Sequence, residues 1–352
     1  MIFALPTPAS LFSELPFGLQ EIEQVRLLLN GDSALDWTRL SLQSEGEVER
    51  LIQLLGLESG DPIDERHLRT IYEQALSYLD GYIHYFVSPE LRRLEDPRRL
   101  FLLASRPGPL AQEACMLLKV MHICHHVAGR ELLYLLPAPI SELFFRVEHR
   151  VFQAIDGLRE AGIPIVQFEG SRKAHGSILT KLLCRSDSLA AEVHDRIRFR
   201  LVTEDLNDLF EALLYLTRTL FPFNYVVPGE SRNDLLDLDA TLQSDPELAR
   251  LAASLQPRPS TAQPVNPYSA KGFKMINFVV DLPIRVADLI PESLPDRDRL
   301  GQSVFLLVEF QLADRLTHEN NNKGDNRHAL YKDRQIRKSL ERLLPGCTTS
   351  GE

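Results

Sequence analysis

The chain has 352 residues, 44% hydrophobic and 25% charged. That is an ordinary globular composition with material for a core and, at roughly 150 residues per domain, for about two domains; it excludes a disordered chain. The net charge of −10 excludes a general polyanion binder, so any phosphate site has to be a local basic patch, and neither DNA nor a membrane is an expected partner.

In chain order, the first eighteen residues lack a basic start and are broken by Pro6, Pro8 and Pro16, which is unlike a signal peptide. No later run approaches the roughly 18 apolar residues of a membrane span. Apolar residues then recur at helical spacing, in Ile22, Val25, Leu28 and Leu29 and again in Val48, Leu51, Ile52 and Leu55. Asn30–Asp32 and Gly60–Pro62 read as breaks between helices. Asp64 is expected to cap a helix running to Tyr85, and Gln112–Leu136 is expected to form one long helix that tolerates Gly129 at some cost. Residues 1–150 are therefore read as an all-α N-terminal domain, the place where a regulator or a second copy would dock.

The pattern changes after about residue 160. Ile163–Phe168 reads as a strand and Ser177–Cys184 as a short helix. Arg196, Arg198 and Arg200 alternate with Ile197, Phe199 and Leu201, which is the period of a strand. Leu206–Phe221 has helical periodicity. Tyr225–Val227, Met275–Leu282 and Val304–Leu312 read as strands, and Ala329–Leu344 as a closing basic helix. Residues 229–268, acidic and then rich in proline, read as a long loop insertion. The fold class is α+β: a mixed β-sheet domain over residues 151–345, flanked by helices and preceded by the helical domain. Cys115, Cys124, Cys184 and Cys347 are widely spaced without a Cys-x-x-Cys pair, which points away from disulfides and zinc and toward a reducing, cytoplasmic setting.

The most informative window is 171–200, with seven basic residues against three acids, a local +4 in a −10 chain. Arginine forks and lysine charges at this density suit a compact polyphosphate. Ser177 opens the short helix and can offer its hydroxyl beside free N–H groups, and Lys181 projects from the same face four residues on. Asp195 stands at the mouth of the arginine-rich strand. Glu309 lies inside an apolar strand, where a carboxylate is expensive unless paired or holding a metal, and Gln311 shares its face. Two such carboxylates on neighbouring strands could hold Mg²⁺, a hard cation that takes oxygen ligands and substrate phosphates.

These residues resemble the synthetase domain of the RelA/SpoT-type alarmone synthetases, of the nucleotidyltransferase-like superfamily. Gly170, Arg172, Lys173, Ser177 and Lys181 match the family's first motif. Asp195 and Arg200 match an Asp followed by Arg five residues later on a strand. Gly272 to Asn277 echo a Gly-Tyr-Gln-Ser-Ile-His strand, Glu309 and Gln311 match Glu-x-Gln, and His328, Tyr331 and Lys332 match a closing His-x-x-Tyr-Lys. The match covers roughly residues 160–340. It implies transfer of the β,γ-pyrophosphate of ATP to the 3′-hydroxyl of GDP or GTP with Mg²⁺. By this resemblance Arg172, Lys173, Ser177, Lys181 and Arg200 hold ATP. Asp195 and Glu309 are the metal-binding and catalytic pair, and Lys271, Phe273, Asn277, Gln311 and His328 face the acceptor. The departures gather on the acceptor side. Phe273 replaces the family's stacking Tyr, Asn277 replaces its His, Ser269 and Ala313 replace basic residues, and the 229–268 insertion replaces a short loop. Two alternatives follow: a toxin-type pyrophosphokinase acting on adenosine nucleotides or the tRNA 3′ end, in which alone RNA is a partner, and a non-catalytic nucleotide sensor. His122 and His126 lie one helical turn apart in MHICHH, but packing is the expected role; the segment also lacks the His-Asp signature of the family's hydrolase domain, so no alarmone hydrolysis is expected there.

Overall fold

The computed structural model describes residues 19–30, 42–184, 197–238, 240, 243, 249, 272–323 and 328–343. The helices before the sheet are α1 (Leu19–Asn30), α2 (Glu45–Leu54), α3 (Pro62–Tyr78), α4 (Pro89–Arg92), α5 (Arg99–Ser105), α6 (Ala111–Leu135) and α7 (Ile140–Glu160). The start of α3 lies earlier than expected. Asp61 is the cap, its carboxylate accepting from the N–H groups of Ile63 and Asp64 with Pro62 in the first turn. Asp64 is instead buried and accepts from the Glu58 N–H and from Arg285. The helix also gives way before Tyr85, to a π turn over Leu79–Ile83 closed by His84 in a left-handed conformation.

The described strands form one five-stranded mixed sheet in the order β1-β2-β5-β4-β3. They are β1 (Ile165–Arg172), β2 (Ile197–Thr203), β3 (Arg232–Asn233), β4 (Ile276–Arg285) and β5 (Ser303–Asp314). Only β2 and β5 run parallel; the other pairs are antiparallel. Between the strands lie α8 (His175–Cys184), α9 (Leu206–Thr219) and α10 (Arg297–Leu300), and α11 (Arg315–Asn321) and α12 (His328–Leu343) follow. Tyr225–Val227 is not a strand. Tyr225 ends a 3₁₀ turn, Val226 makes an isolated bridge to Val280, and β3 pairs with β4 at Ile276 and Asn277.

One face of the sheet is the core. Side chains alternate across the pleat, and Phe168 of β1, Phe199 of β2, Phe310 of β5 and Phe278 of β4 fall on the same side. Phe168 stacks on Phe199 at 5.8 Å, Phe199 on Phe310 at 5.8 Å, and Phe310 on Phe278 at 5.5 Å. Phe152 of α7 meets this row edge-on, and Phe221, just beyond α9, packs on Phe278 and Phe310. Gly170 is where this row leaves no room: a Cβ there would lie 2.9 Å from the Phe199 ring.

A boundary at residue 150 falls inside α7. Arg150 itself is half-buried and donates to the carbonyls of Pro283 on β4 and Leu220, and desolvation lowers its pKa to about 10. Helix α1 packs on α9, and α6 packs on β5. The helices that open the chain therefore share one hydrophobic core with the sheet.

Candidate active site

The second face of the sheet is polar toward the ends of β1, β2, β5 and β4 that carry the sequence-marked residues. Strand register decides which of them meet. Glu169 pairs with Arg200, Arg200 with Gln311, Gln311 with Asn277, and Asn277 with Arg232, so one row crosses all five strands. The adjacent row runs Ser171, Arg198, Glu309, Val279. At about 4.8 Å between neighbouring strands, five strands span about 19 Å, enough for a nucleotide.

Hydrogen bonds connect these rows. Arg200 Nη1 donates to Glu169 at 3.3 Å and Nη2 to Gln311 Oε1 at 3.2 Å. The Gln311 amide donates to Glu309 Oε1 at 3.1 Å. Arg198 Nε donates to Ser171 Oγ at 3.4 Å. Glu309 and Gln311 are each 9% exposed. Glu309 sits on β5 at the centre of the sheet, not on an edge strand facing water, so its charge has to be balanced by neighbours. Arg200 supplies part of that balance. Burial, and then the adjacent Arg198 charge, push its guanidinium below the ordinary value, while Glu169 and Glu309 act in the opposite direction. An arginine so placed stays charged.

Arg172 departs from expectation. It is one residue out of phase with Ser171 and pairs with Ile197, so it falls on the aromatic face. There it makes a two-pronged ion pair with Glu148 of α7, at 2.7 and 2.8 Å, over the Phe144 ring. It is therefore not part of the polar face. Ser177 is corrected in one respect: α8 opens at His175, and the Ser177 N–H is already bonded to the Ala174 carbonyl at 2.9 Å. Lys173 is half-buried in the link between β1 and α8, and Lys181 lies one turn beyond Ser177 in α8. Helix α12, which begins at His328, packs along α8, with Ser339 donating to the Thr180 carbonyl at 3.3 Å. Asp195 and Lys271 lie outside the described residues.

On the acceptor side, Asn277 is half-buried, and its Oδ1 has no hydrogen-bond partner among the described residues. Phe273 is half-buried in the approach to β4. That approach is held by Asn321 of α11, whose side chain accepts from the Lys274 N–H at 3.1 Å and donates to its carbonyl at 2.7 Å. Sequence reasoning missed Asn321, and it missed His318. Burial, and then the Arg200 charge, lower the His318 pKa, with Glu169 and Glu319 opposing, which places His318 of α11 within the field of this face. It also missed Arg232, which ends the long row and pairs with Asp234 at 2.6 Å. The signal for the two α11 residues was only their nearness to β5 in the chain, and β3 is too short to be read from periodicity.

Among the described residues, the polar face offers a metal the carboxylate oxygens of Glu169 and Glu309. Among the described residues no group of three or more His, Cys, Asp or Glu stands together. Magnesium usually takes only one or two carboxylates, the rest being waters and substrate phosphates, and Glu309 fits that pattern. The histidines of α6 are packing residues. His122 lies 3.1 Å from the Asn224 amide nitrogen, and His125 joins the Leu55 carbonyl to His67 at 3.0 and 2.9 Å. His126 stacks on Tyr225 at 5.0 Å. Among the described residues, no helix is long and apolar enough to cross a membrane.

No family model matches the chain, and no curated protein sequence does. Among solved structures, the chain is similar to the small alarmone synthetase 2 from Bacillus subtilis, at 13% identity over 59% of this chain and 93% of that one, with a TM-score of 0.30. It is similar to the small alarmone synthetase 1 from Bacillus subtilis, at 16% identity over 58% and 90%, with a TM-score of 0.30. It is also similar to a GTP pyrophosphokinase family protein from Streptococcus pneumoniae, at 13% identity over 58% and 89%, with a TM-score of 0.30. These proteins are of the kind the sequence motifs resemble. At such identities and TM-scores the likeness decides nothing about the chemistry, which has to be argued from the residues of the polar face.

Proposed function

We propose that this chain is a nucleotide pyrophosphokinase that moves the β,γ-pyrophosphate of ATP to the 3′-hydroxyl of a guanine nucleotide, GDP or GTP, with Mg²⁺. The observation that carries this reading is Glu309. It is a buried carboxylate at the centre of the sheet, oriented by the Gln311 amide, in register with Arg198 and beside Arg200. A carboxylate next to fixed guanidinium groups is what such a transfer needs, because phosphoryl-type chemistry is mostly positioning and neutralisation of oxygen charge.

In this reading Arg200, Lys173, Ser177 and Lys181 bind the ATP phosphates. Glu169 and Gln311 hold the Arg200 fork by the bonds described above. Glu309, with Asp195, would hold Mg²⁺, which when bound draws negative charge from the phosphate oxygens. The acceptor oxygen forms a bond to the β-phosphorus while the bond from that phosphorus to the α-phosphate oxygen breaks. AMP leaves, and the hydroxyl proton passes to the Glu309 carboxylate. Asn277, with its buried Oδ1 lacking a partner among the described residues, and Phe273 face the acceptor base; Lys271 and His328 would contact its phosphates.

The test is product analysis by mass spectrometry. Purified protein with ATP, Mg²⁺ and a panel of GDP, GTP, ADP, ATP and tRNA is expected to release AMP and form a 3′-pyrophosphorylated guanine nucleotide. Glu309→Gln is expected to lower AMP release by about 10²- to 10⁴-fold, the usual range for loss of a general base, with nucleotide binding retained. Undiminished turnover in Glu309→Gln would refute the reading. Product on an adenosine nucleotide or on tRNA would move the acceptor, and nucleotide binding without any AMP would leave a sensor.

A further inference from the structure

We propose that Arg198 grips the transferred pyrophosphate, supplying the ATP contact that the family resemblance implies for Arg172. The inference deepens the proposed function and rests on it. Three observations support it.

The first is position. Arg198 lies on β2 between Ser171 of β1 and Glu309 of β5, on the polar face and in register with both. A phosphate held by Arg198 would stand beside the carboxylate that receives the proton. The second is how the other arginines are used. Arg172 has its fork committed to Glu148, and Arg200 has one prong on Glu169 and the other on Gln311. Arg198 has its Nε on the neutral Ser171 hydroxyl, and among the described residues no carboxylate forms an ion pair with it. Its two terminal nitrogens can therefore serve an anion that arrives with the substrate. The third is electrostatic. Arg198 and Arg200 are two residues apart on one strand face, about 7 Å along it, and the Arg198 charge is felt at Arg200. Two like charges held this closely disfavour the empty site, and a polyphosphate bridging them relieves that repulsion.

The one-residue phase of a strand thus decides the matter. A basic residue at 172 is carried to the covered face, and the strand alongside supplies the guanidinium instead.

The experiment measures binding and turnover separately in the full chain, with circular dichroism to confirm that each variant is folded. The binding probes are inorganic tripolyphosphate and α,β-methylene-ATP, each with Mg²⁺, by calorimetry. Arg198→Met is expected to weaken both probes about 10- to 100-fold, the range for loss of a charge-assisted hydrogen bond. Arg198→Lys is expected to restore part of the affinity, and Arg172→Met to bind as the parent does. If Arg198→Met binds both probes like the parent while the parent releases AMP, the inference is overturned and the proposed function stands. Equal losses in Arg172→Met and Arg198→Met also overturn it. If the parent forms no AMP with any acceptor but Arg198→Met still loses tripolyphosphate, the anion seat stands and the proposed reaction falls. A parent that binds neither probe overturns both.

Discussion

Gly129 offers a sharp test of how the opening helices are joined to the sheet. Helix α6 crosses β5 at this residue, on the same sheet face as the site but toward its far end, at Ser303 and Phe305. A Cβ at position 129 would lie 2.5 Å from Phe305 Cδ2 and 2.8 Å from the Ser303 carbonyl oxygen. Neither neighbour can give way cheaply. The carbonyl belongs to a central strand, and the Phe305 ring is wedged among His125, His126 and Tyr225 at 5.1, 4.2 and 5.2 Å. Overpacking of this kind costs about 1–3 kcal/mol, and such rigid partners put Gly129→Ala at the upper end. Removing a mid-helix glycine returns about 1 kcal/mol of helix propensity. The net expectation is a loss of about 2 kcal/mol, or roughly 3 °C in Tm for a chain of this size. Urea titration and thermal unfolding followed by circular dichroism would measure it. Gly157→Ala in α7 is the comparison, because its new methyl meets the hydroxyl end of a half-buried side chain, Tyr215, and no backbone; it should cost less than Gly129→Ala. Phe305→Leu in the Gly129→Ala background should recover part of the loss through coupling between the two sites. A Gly129→Ala chain as stable as the parent would refute the close crossing of α6 over β5.

Acid should loosen the same region. Burial, with His126 adding to it, depresses the His122 pKa to about 3, and burial, with Arg130 adding to it, depresses His126 to about 4. Below pH 6.5 the unfolded chain takes up protons that the folded chain refuses, so stability falls as pH falls from about 6.5 toward 4. From pH 6.5 to 4.5 the two together remove about 5 kcal/mol at most. Asp281, 3.4 Å from His126, reduces that loss, and so do Asp208 and Glu211, whose carboxyls burial pushes up. The urea midpoint should therefore drop over this interval, and drop less in His122→Gln; a midpoint that rises on acidification would contradict the burial. Asn321→Ala removes both side-chain bonds to Lys274 and should raise the acceptor KM about tenfold, the worth of one hydrogen bond of ordinary strength, with the ATP KM little changed; equal effects on both substrates would mean that Asn321 supports the whole face rather than the acceptor segment.

The sequence alone determined the elements whose periodicity is local. The long helix α6, the arginine-alternating β2 and the apolar runs of β4 and β5 are written in the spacing of their own residues, and the structure has them within a residue or a few of the expected bounds. The suspicion attached to Glu309 was legible too, because a carboxylate in an apolar strand is costly wherever that strand lies. Periodicity also put Arg198 and Arg200 on one side of their strand. What it could not supply was the partner of each face. Only the packed sheet decided that Arg172 turns toward Glu148 while Ser171 shares its face with Arg198, since a shift of one residue moves a side chain to the opposite side. Nor could it place a boundary near 150, because α7 is helical on both sides of that residue and Arg150 reaches from it to a β4 carbonyl. Spacing along a chain sets which side chains point the same way; which of them meet, and which are covered, depends on the neighbours that tertiary packing brings against them.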